Sequence, residues 1–296
     1  MDVCVIGGSR YFGRLLVEEL RDAGATVTVI NRGSAPVPRG VIHLRADRDD
    51  EAALNAALAG RSFDVVVDQV CYSPLQAAIA ARAFTGRTRR YVLTSTVEVY
   101  AELGRPGGAA LPEQAVDPSA WPVDLGLAWD DPQFRAERYG EGKRQAEALL
   151  TQEAPFDVAV VRTAHVLGAG DFTGRLDHYI ERIEQGLPVV VHPAPQPASF
   201  VHAPEIARFL AWAAAADFTG PVNAASRGTL GVRELCAAVG RVVGLEPRLV
   251  AGTGEPVSPL SFDRSYAMDT GRVDRLGFRF GAVADWLPLV LKEVRG

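Results

Sequence analysis

Val3-Cys4-Val5-Ile6 runs straight into Gly7-Gly8-Ser9-Arg10-Tyr11-Phe12-Gly13, and Leu15, Leu16 and Leu20 follow at helical spacing. A glycine triplet alone says little. Between a strand and a helix it has a physical role, because the glycines allow a tight turn and close helix–strand contact, and the helix N-terminus faces an anion such as a dinucleotide pyrophosphate. Gly7, Ser9, Arg10, Tyr11, Phe12 and Gly13 are therefore expected to contact the cofactor. In both common spacings of such turns the middle glycine falls on Arg10. A cation adds nothing to a bare turn, but it can reach a phosphate.

Outward from this turn, strands are expected over 27–30, 41–44, 63–67, 91–94 and 158–161, alternating with helices over 51–58, 75–84 and 141–152. The run 63–67 is apolar throughout except Asp64, as a strand covered on both faces requires. The alternation implies an α/β fold, a Rossmann-type doubly wound parallel sheet. A smaller C-terminal α+β substrate-binding region is expected to follow. The division expected is 1–167 with a return segment about 200–226 for the dinucleotide domain, and 168–199 with 227–296 for the substrate region. Helices are expected there over 177–185, 204–215, 232–243 and 284–294, with strands over 188–191, 200–201 and 221–223, some rejoining the main sheet. The proline- and glycine-rich segment 101–138 breaks the rhythm, and its Trp121 and Trp129 suggest a lid over a cleft.

At the end of the second strand an NAD-selective protein carries an acid for the ribose 2′-hydroxyl. This chain has Asn31-Arg32 instead, so NADP(H) is favoured over NAD(H). With 48% hydrophobic and 23% charged residues the chain reads as an ordinary globular protein. The net charge of -5, without a basic block, argues against nucleic acid as a partner. No apolar run approaches a membrane span, and no basic-then-apolar leader precedes Val3, so a cytoplasmic protein is expected. Cys4, Cys71 and Cys236 are odd in number and far apart, which speaks against a disulfide framework or a metal site. A small molecule is the expected partner, with room for a homodimer.

Among 31 basic residues only Lys143 and Lys292 are lysine. Lys143 stands four residues after Tyr139, which places both on one helical face. An ammonium near a phenol lowers its pKa, so Tyr139 could exchange a proton with a substrate oxygen. Upstream, Thr94-Ser95-Thr96-Val97-Glu98 offers hydroxyls at a strand end. With the glycine turn, Asp47, 94–100, Tyr139/Lys143, 162–168 and Phe200-Val201-His202 in this order, the chain resembles the extended or atypical short-chain dehydrogenase/reductases of the NAD(P)-dependent epimerase/dehydratase family. The resemblance implies that Tyr139 is the acid/base, Lys143 holds the nicotinamide ribose, Thr96 faces the substrate and Asp47 contacts adenine.

Two departures narrow what carries over. Val97 replaces the Asp of the dehydratases' Asp–Glu pair, leaving Glu98, and Ser199-Phe200 replaces an Arg-Phe that can hold a nucleotide phosphate. Glu98 and His165 are the candidate substrate contacts, while Cys71 reads as a small buried hydrophobe. The function expected is an NADP(H)-dependent oxidoreductase acting on a carbonyl/alcohol carbon of a sugar-like or secondary-metabolite substrate. The alternatives are an epimerase that keeps its cofactor and, in another class, a dinucleotide-binding regulatory or RNA-binding protein.

Overall fold

The computed structural model describes residues 1–252 and 256–296. β1 (Asp2–Ile6), α1 (Tyr11–Asp22), β2 (Thr26–Asn31), β3 (Ile42–Arg45), α2 (Glu51–Ala57), β4 (Phe63–Asp68), α3 (Pro74–Phe84) and β5 (Thr88–Thr96) form the first half. Single turns at Val97–Tyr100 and Glu113–Ala115 and a short α4 (Pro132–Glu137) occupy the long connection. α5 (Tyr139–Glu153), β6 (Asp157–Thr163) and β7 (His165–Leu167) follow. Then come α6 (Arg175–Glu184), β8 (Val189–Val191), β9 (Phe200–His202), α7 (Ala203–Ala215), β10 (Gly220–Ala224) and α8 (Val232–Val243). β11 (Leu249–Ala251), α9 (Gly271–Arg275) and α10 (Val283–Arg295) complete the described chain.

Seven strands build one all-parallel sheet in the order β10-β6-β5-β4-β1-β2-β3. The chain winds one way from β1 to β3 and then restarts on the other side of β1 with β4. In doubly wound sheets the crevice beyond the carboxyl ends of the strands at that reversal is where ligands bind.

Alternate residues of β1 enter opposite cores: Val3 and Val5 face the layer of α1 and α7, while Cys4 and Ile6 face that of α3 and α5. Val65 and Val67 of β4 divide from Val66 in the same way. Burial on both faces explains the strand's apolar run, and each such side chain contributes roughly 1.5–3 kcal/mol.

Only β10 of the later strands joins the main sheet. β9 pairs with β7, and β8 with β11, as separate two-stranded ribbons. Of the return segment about 200–226, expected to rejoin the main sheet, β10 does so and β9 does not. Strands of three residues are too short to show a period, so β7 and β11 left no pattern in the sequence.

Candidate active site

A cleft of about 1440 Å³ lies along the carboxyl ends of β1, β2, β4, β5 and β6. Its volume exceeds the ~300–1,000 Å³ of typical small-ligand sites, leaving space for a dinucleotide and a further molecule. Gly7, Ser9, Arg10, Tyr11, Phe12, Gly13, Asn31, Arg32, Asp47, Thr96, Glu98, Tyr139, Lys143 and His165 all line it. The candidates chosen from the sequence therefore share one cavity.

Backbone geometry explains the glycine turn. Gly7 and Gly8 have φ of +99° and +71°, and a Cβ on Gly8 would lie 2.8 Å from Val17 and 2.9 Å from Val5. Arg10 precedes α1 with φ −135°, an extended conformation open to any residue, which is why a glycine is dispensable there. The first turn of α1 has neither a side-chain cap nor an acidic residue. Its amide groups and dipole suit a pyrophosphate, so the turn fits the dinucleotide that the fold implies.

At the end of β2, Arg32 and Arg10 are exposed, and the Arg45 guanidinium packs under Gly33. Asn31 is committed to the loop: its Oδ1 accepts from the Gly33 amide at 2.7 Å and meets His43 Nε2 at 2.9 Å. Its part in the site is to shape this loop more than to offer a free amide. Gln69 and Val70 after β4 were not foreseen. They form the far wall, where a Cβ on Gly7 would sit 3.1 Å from Val70 and 3.2 Å from Gln69.

Tyr139 opens α5 and Lys143 follows one helical turn later. Gly140 and Gly142 seat that turn: a Cβ on Gly140 would lie 2.6 Å from the Glu98 carbonyl, and one on Gly142 2.3 Å from the Tyr72 carbonyl. Glycines cost a helix roughly 1 kcal/mol each, a readable sign that close approach matters here. Lys143 is buried, donates to the Thr94 carbonyl at 2.8 Å and lies 4.9 Å from the Tyr72 ring centre. Burial pushes its pKa down to about 8. Thr96 caps the Val97–Tyr100 turn, accepting from the Glu98 amide at 3.2 Å.

One expectation is overturned. The Tyr139 phenol is held above its ordinary pKa, first by burial and then by neighbouring Tyr72, while Thr96 pulls the other way. The Lys143 ammonium stands 5.9 Å from the Tyr139 ring centre and spends a hydrogen bond on Thr94. Desolvation of the phenolate outweighs it and favours the neutral phenol.

Glu98 accepts from Tyr266 OH at 3.3 Å, and burial raises its carboxyl pKa. His165 is packed against Phe262, Tyr266 and Phe200 at 4.8, 5.5 and 5.7 Å between ring centres. Burial, assisted by Arg175, pushes its pKa down to about 3, so it stays neutral. Cys71 is buried and free, its thiol pushed up to about 11 by burial.

The two tryptophans are not at the mouth. Trp129 is 1% exposed, donates to the Asp124 carbonyl at 2.8 Å and packs against Gly142. Trp121 stacks under the Arg144 guanidinium at 5.0 Å. Neither lines the cleft; Pro132, Arg135 and Arg138 of the same segment do. The large indoles gain more from burial behind α5 than from a wet edge. Arg175, Asp171 and Phe172 line the cleft beside His165 and left no motif in the sequence.

Residues 3–122 match the family described as NAD dependent epimerase/dehydratase. That is the family the sequence resembles. Among solved structures, UDP-glucose 4-epimerase of Thermotoga maritima superposes with a TM-score of 0.77 at 17% identity, over 100% of this chain and 99% of that one. The Thermus thermophilus UDP-glucose 4-epimerase complex with NAD gives 0.72 at 22% identity, over 100% and 99%. At such identities the likeness is one of fold. A curated relative, chloroplast stem-loop binding protein of 41 kDa b from Arabidopsis thaliana, is 23% identical over 207 residues, 64% of this chain. The match spans about half of that protein's length, 48%.

No helix among the described residues is long and apolar enough to cross a membrane.

Proposed function

We propose that the chain is an NADP(H)-dependent oxidoreductase acting on a carbonyl or alcohol carbon of a small polar substrate. One observation carries the reading: Thr96, Tyr139 and Lys143 face the same cavity as a glycine turn whose helix N-terminus is uncapped. A nicotinamide dinucleotide bound there would supply or accept a hydride. Gly7–Gly13 would hold its pyrophosphate, Asp47 its adenine, and Lys143 its ribose. Arg10 and Arg32, with no acid at the end of β2, favour a 2′-phosphate. Thr96 would orient the reacting oxygen and Tyr139 would donate its proton to it.

NADPH consumption over a panel of keto-sugars and other small ketones tests this. Tyr139→Phe should lower turnover by roughly 10²–10⁴-fold while leaving dinucleotide affinity intact. Full turnover in that variant on a turned-over ketone would refute the role of Tyr139.

The epimerase/dehydratase match supports a second reading, an epimerase that retains its cofactor; product inversion without net NADPH consumption would select it. The stem-loop-binding relative supports a nucleic-acid reading. Its test is salt-dependent binding of a hairpin RNA, disfavoured by the chain's net charge of -5.

A further inference from the structure

Three buried side-chain atoms among the described residues lack a hydrogen-bond partner: Tyr11 OH, Arg48 Nε and His165 Nε2. Native structures leave few such groups, and each calls for a cause. Arg48 already gives Nη1 to Asp68 and Nη2 to the Gln76 carbonyl. All three line the cavity that holds Thr96 and Tyr139, but the Tyr11 and His165 side chains, unlike Arg48, make no hydrogen bond among the described residues.

Arg175 links them. Its Nε and Nη2 donate to Asp171 Oδ2 at 3.1 and 3.0 Å, and Nη2 donates to the carbonyl of Val166, next to His165, at 2.8 Å. Phe172, next to Asp171, meets the Tyr11 ring edge-on at 6.4 Å. Arg175 also lines the cavity, and its Nη1 has no hydrogen bond among the described residues. Tyr11 itself has φ +49°, uncommon for a residue with a side chain. Tyr11, His165 and Arg175 therefore line one cavity, and Tyr11 OH, His165 Nε2 and Arg175 Nη1 have no hydrogen-bond partner among the described residues.

Resting on the reading of the cleft given above, we propose that the substrate carries an oxyanionic group, a carboxylate or a phosphate ester, held by Arg175, Tyr11 and His165 beside Tyr139. A single neutral hydroxyl accepts from at most two of these donors and leaves at least one unpaired. An oxyanion accepts from all three, given a proton on Nε2 of the neutral imidazole. Asp171 sits on the other edge of the guanidinium and fixes its plane. Glu98 shares the cavity, and burial raises its carboxyl pKa.

The test is calorimetric titration of the NADPH-saturated protein with inorganic phosphate, glucose 6-phosphate, gluconate and neutral sorbitol. At least one anion should bind roughly 10-fold tighter than sorbitol, and Arg175→Met should weaken it roughly 10- to 100-fold with NADPH affinity unchanged, while Tyr11→Phe should weaken it by a similar factor. Gluconate against glucose 6-phosphate tells carboxylate from phosphate ester. Sorbitol binding as tightly as the anions, no anion binding, or variants that bind anions like the wild type would overturn the inference. So would variants that lose NADPH instead, since the three groups would then serve the cofactor's own diphosphate. In each case NADPH binding by the wild type shows separately whether the cleft itself has been read correctly.

Discussion

Arg162 and Arg175 flank the same short strand, β7, yet their surroundings differ in kind. Arg162 is fully buried, and every N–H of its guanidinium is used: on Glu147, the Tyr100 hydroxyl, and the carbonyls of Glu113 and Val116. Ser95 completes the set by donating to Glu147. This network ties α5 to β6 and pins the long 101–138 connection, so it is architecture. Arg175 keeps one edge open toward a cavity where Tyr11 and His165 also lack partners. A buried polar group costs free energy unless it is satisfied, so full satisfaction marks a structural site and shared incompleteness marks a place for a ligand.

The largest effect should come from breaking the closed network. Glu147→Gln leaves Arg162 charged, buried and short of its partner, and should destabilise the fold by about 3–5 kcal/mol in denaturant unfolding. A loss under ~1 kcal/mol would mean the pair is not the structural tie described.

Lys143 should behave in the opposite direction. At neutral pH its ammonium is charged in both folded and unfolded chains, and the folded state bears the burial that depresses its pKa from 10.5 to about 8. Lys143→Met should therefore stabilise the protein by roughly 1–3 kcal/mol at pH 7, less the lost bond to Thr94, while weakening dinucleotide binding. Above pH 8 the folded wild type can release this proton. The penalty should shrink as pH rises and vanish near 10.5, where the unfolded chain is neutral as well. A destabilised Lys143→Met variant would show that the lysine serves the fold.

The sharpest contrast uses two tyrosines. Tyr100 OH accepts from Arg162 and donates to Asn223 at 2.8 Å, so Tyr100→Phe should cost about 1–3 kcal/mol. Tyr11→Phe removes a buried hydroxyl with no partner and should leave stability unchanged or raise it by up to about 1–3 kcal/mol. Equal losses in thermal unfolding would erase the distinction between closed and open sites.

Those regions also differ in how legible they were. The glycine turn, the buried strands and the Tyr139/Lys143 face follow from spacing within single elements, and each stands where the residues implied. Gly140 and Gly142 lay in plain view, but the carbonyls they make room for belong to Glu98 and Tyr72 on other elements. Arg175, Asp171 and the ring stack on His165 come from segments joined only by tertiary packing, so no local pattern announced them. The pKa of Tyr139 was misread for a related reason: spacing shows an ammonium nearby but not the burial that outweighs it. Trp121 and Trp129 misled because a proline-rich loop says nothing about which side of α5 its indoles bury against.

We propose that the cleft holds a phosphorylated nicotinamide dinucleotide between the glycine turn and the arginine-flanked end of β2. Fluorescence titration of the wild-type protein with NADPH and NADH tests it directly. NADPH should bind at least roughly 10-fold tighter, since one charge-assisted hydrogen bond to the 2′-phosphate contributes about 1.5–3 kcal/mol. Equal or tighter binding of NADH, or no binding of either, would overturn this assignment.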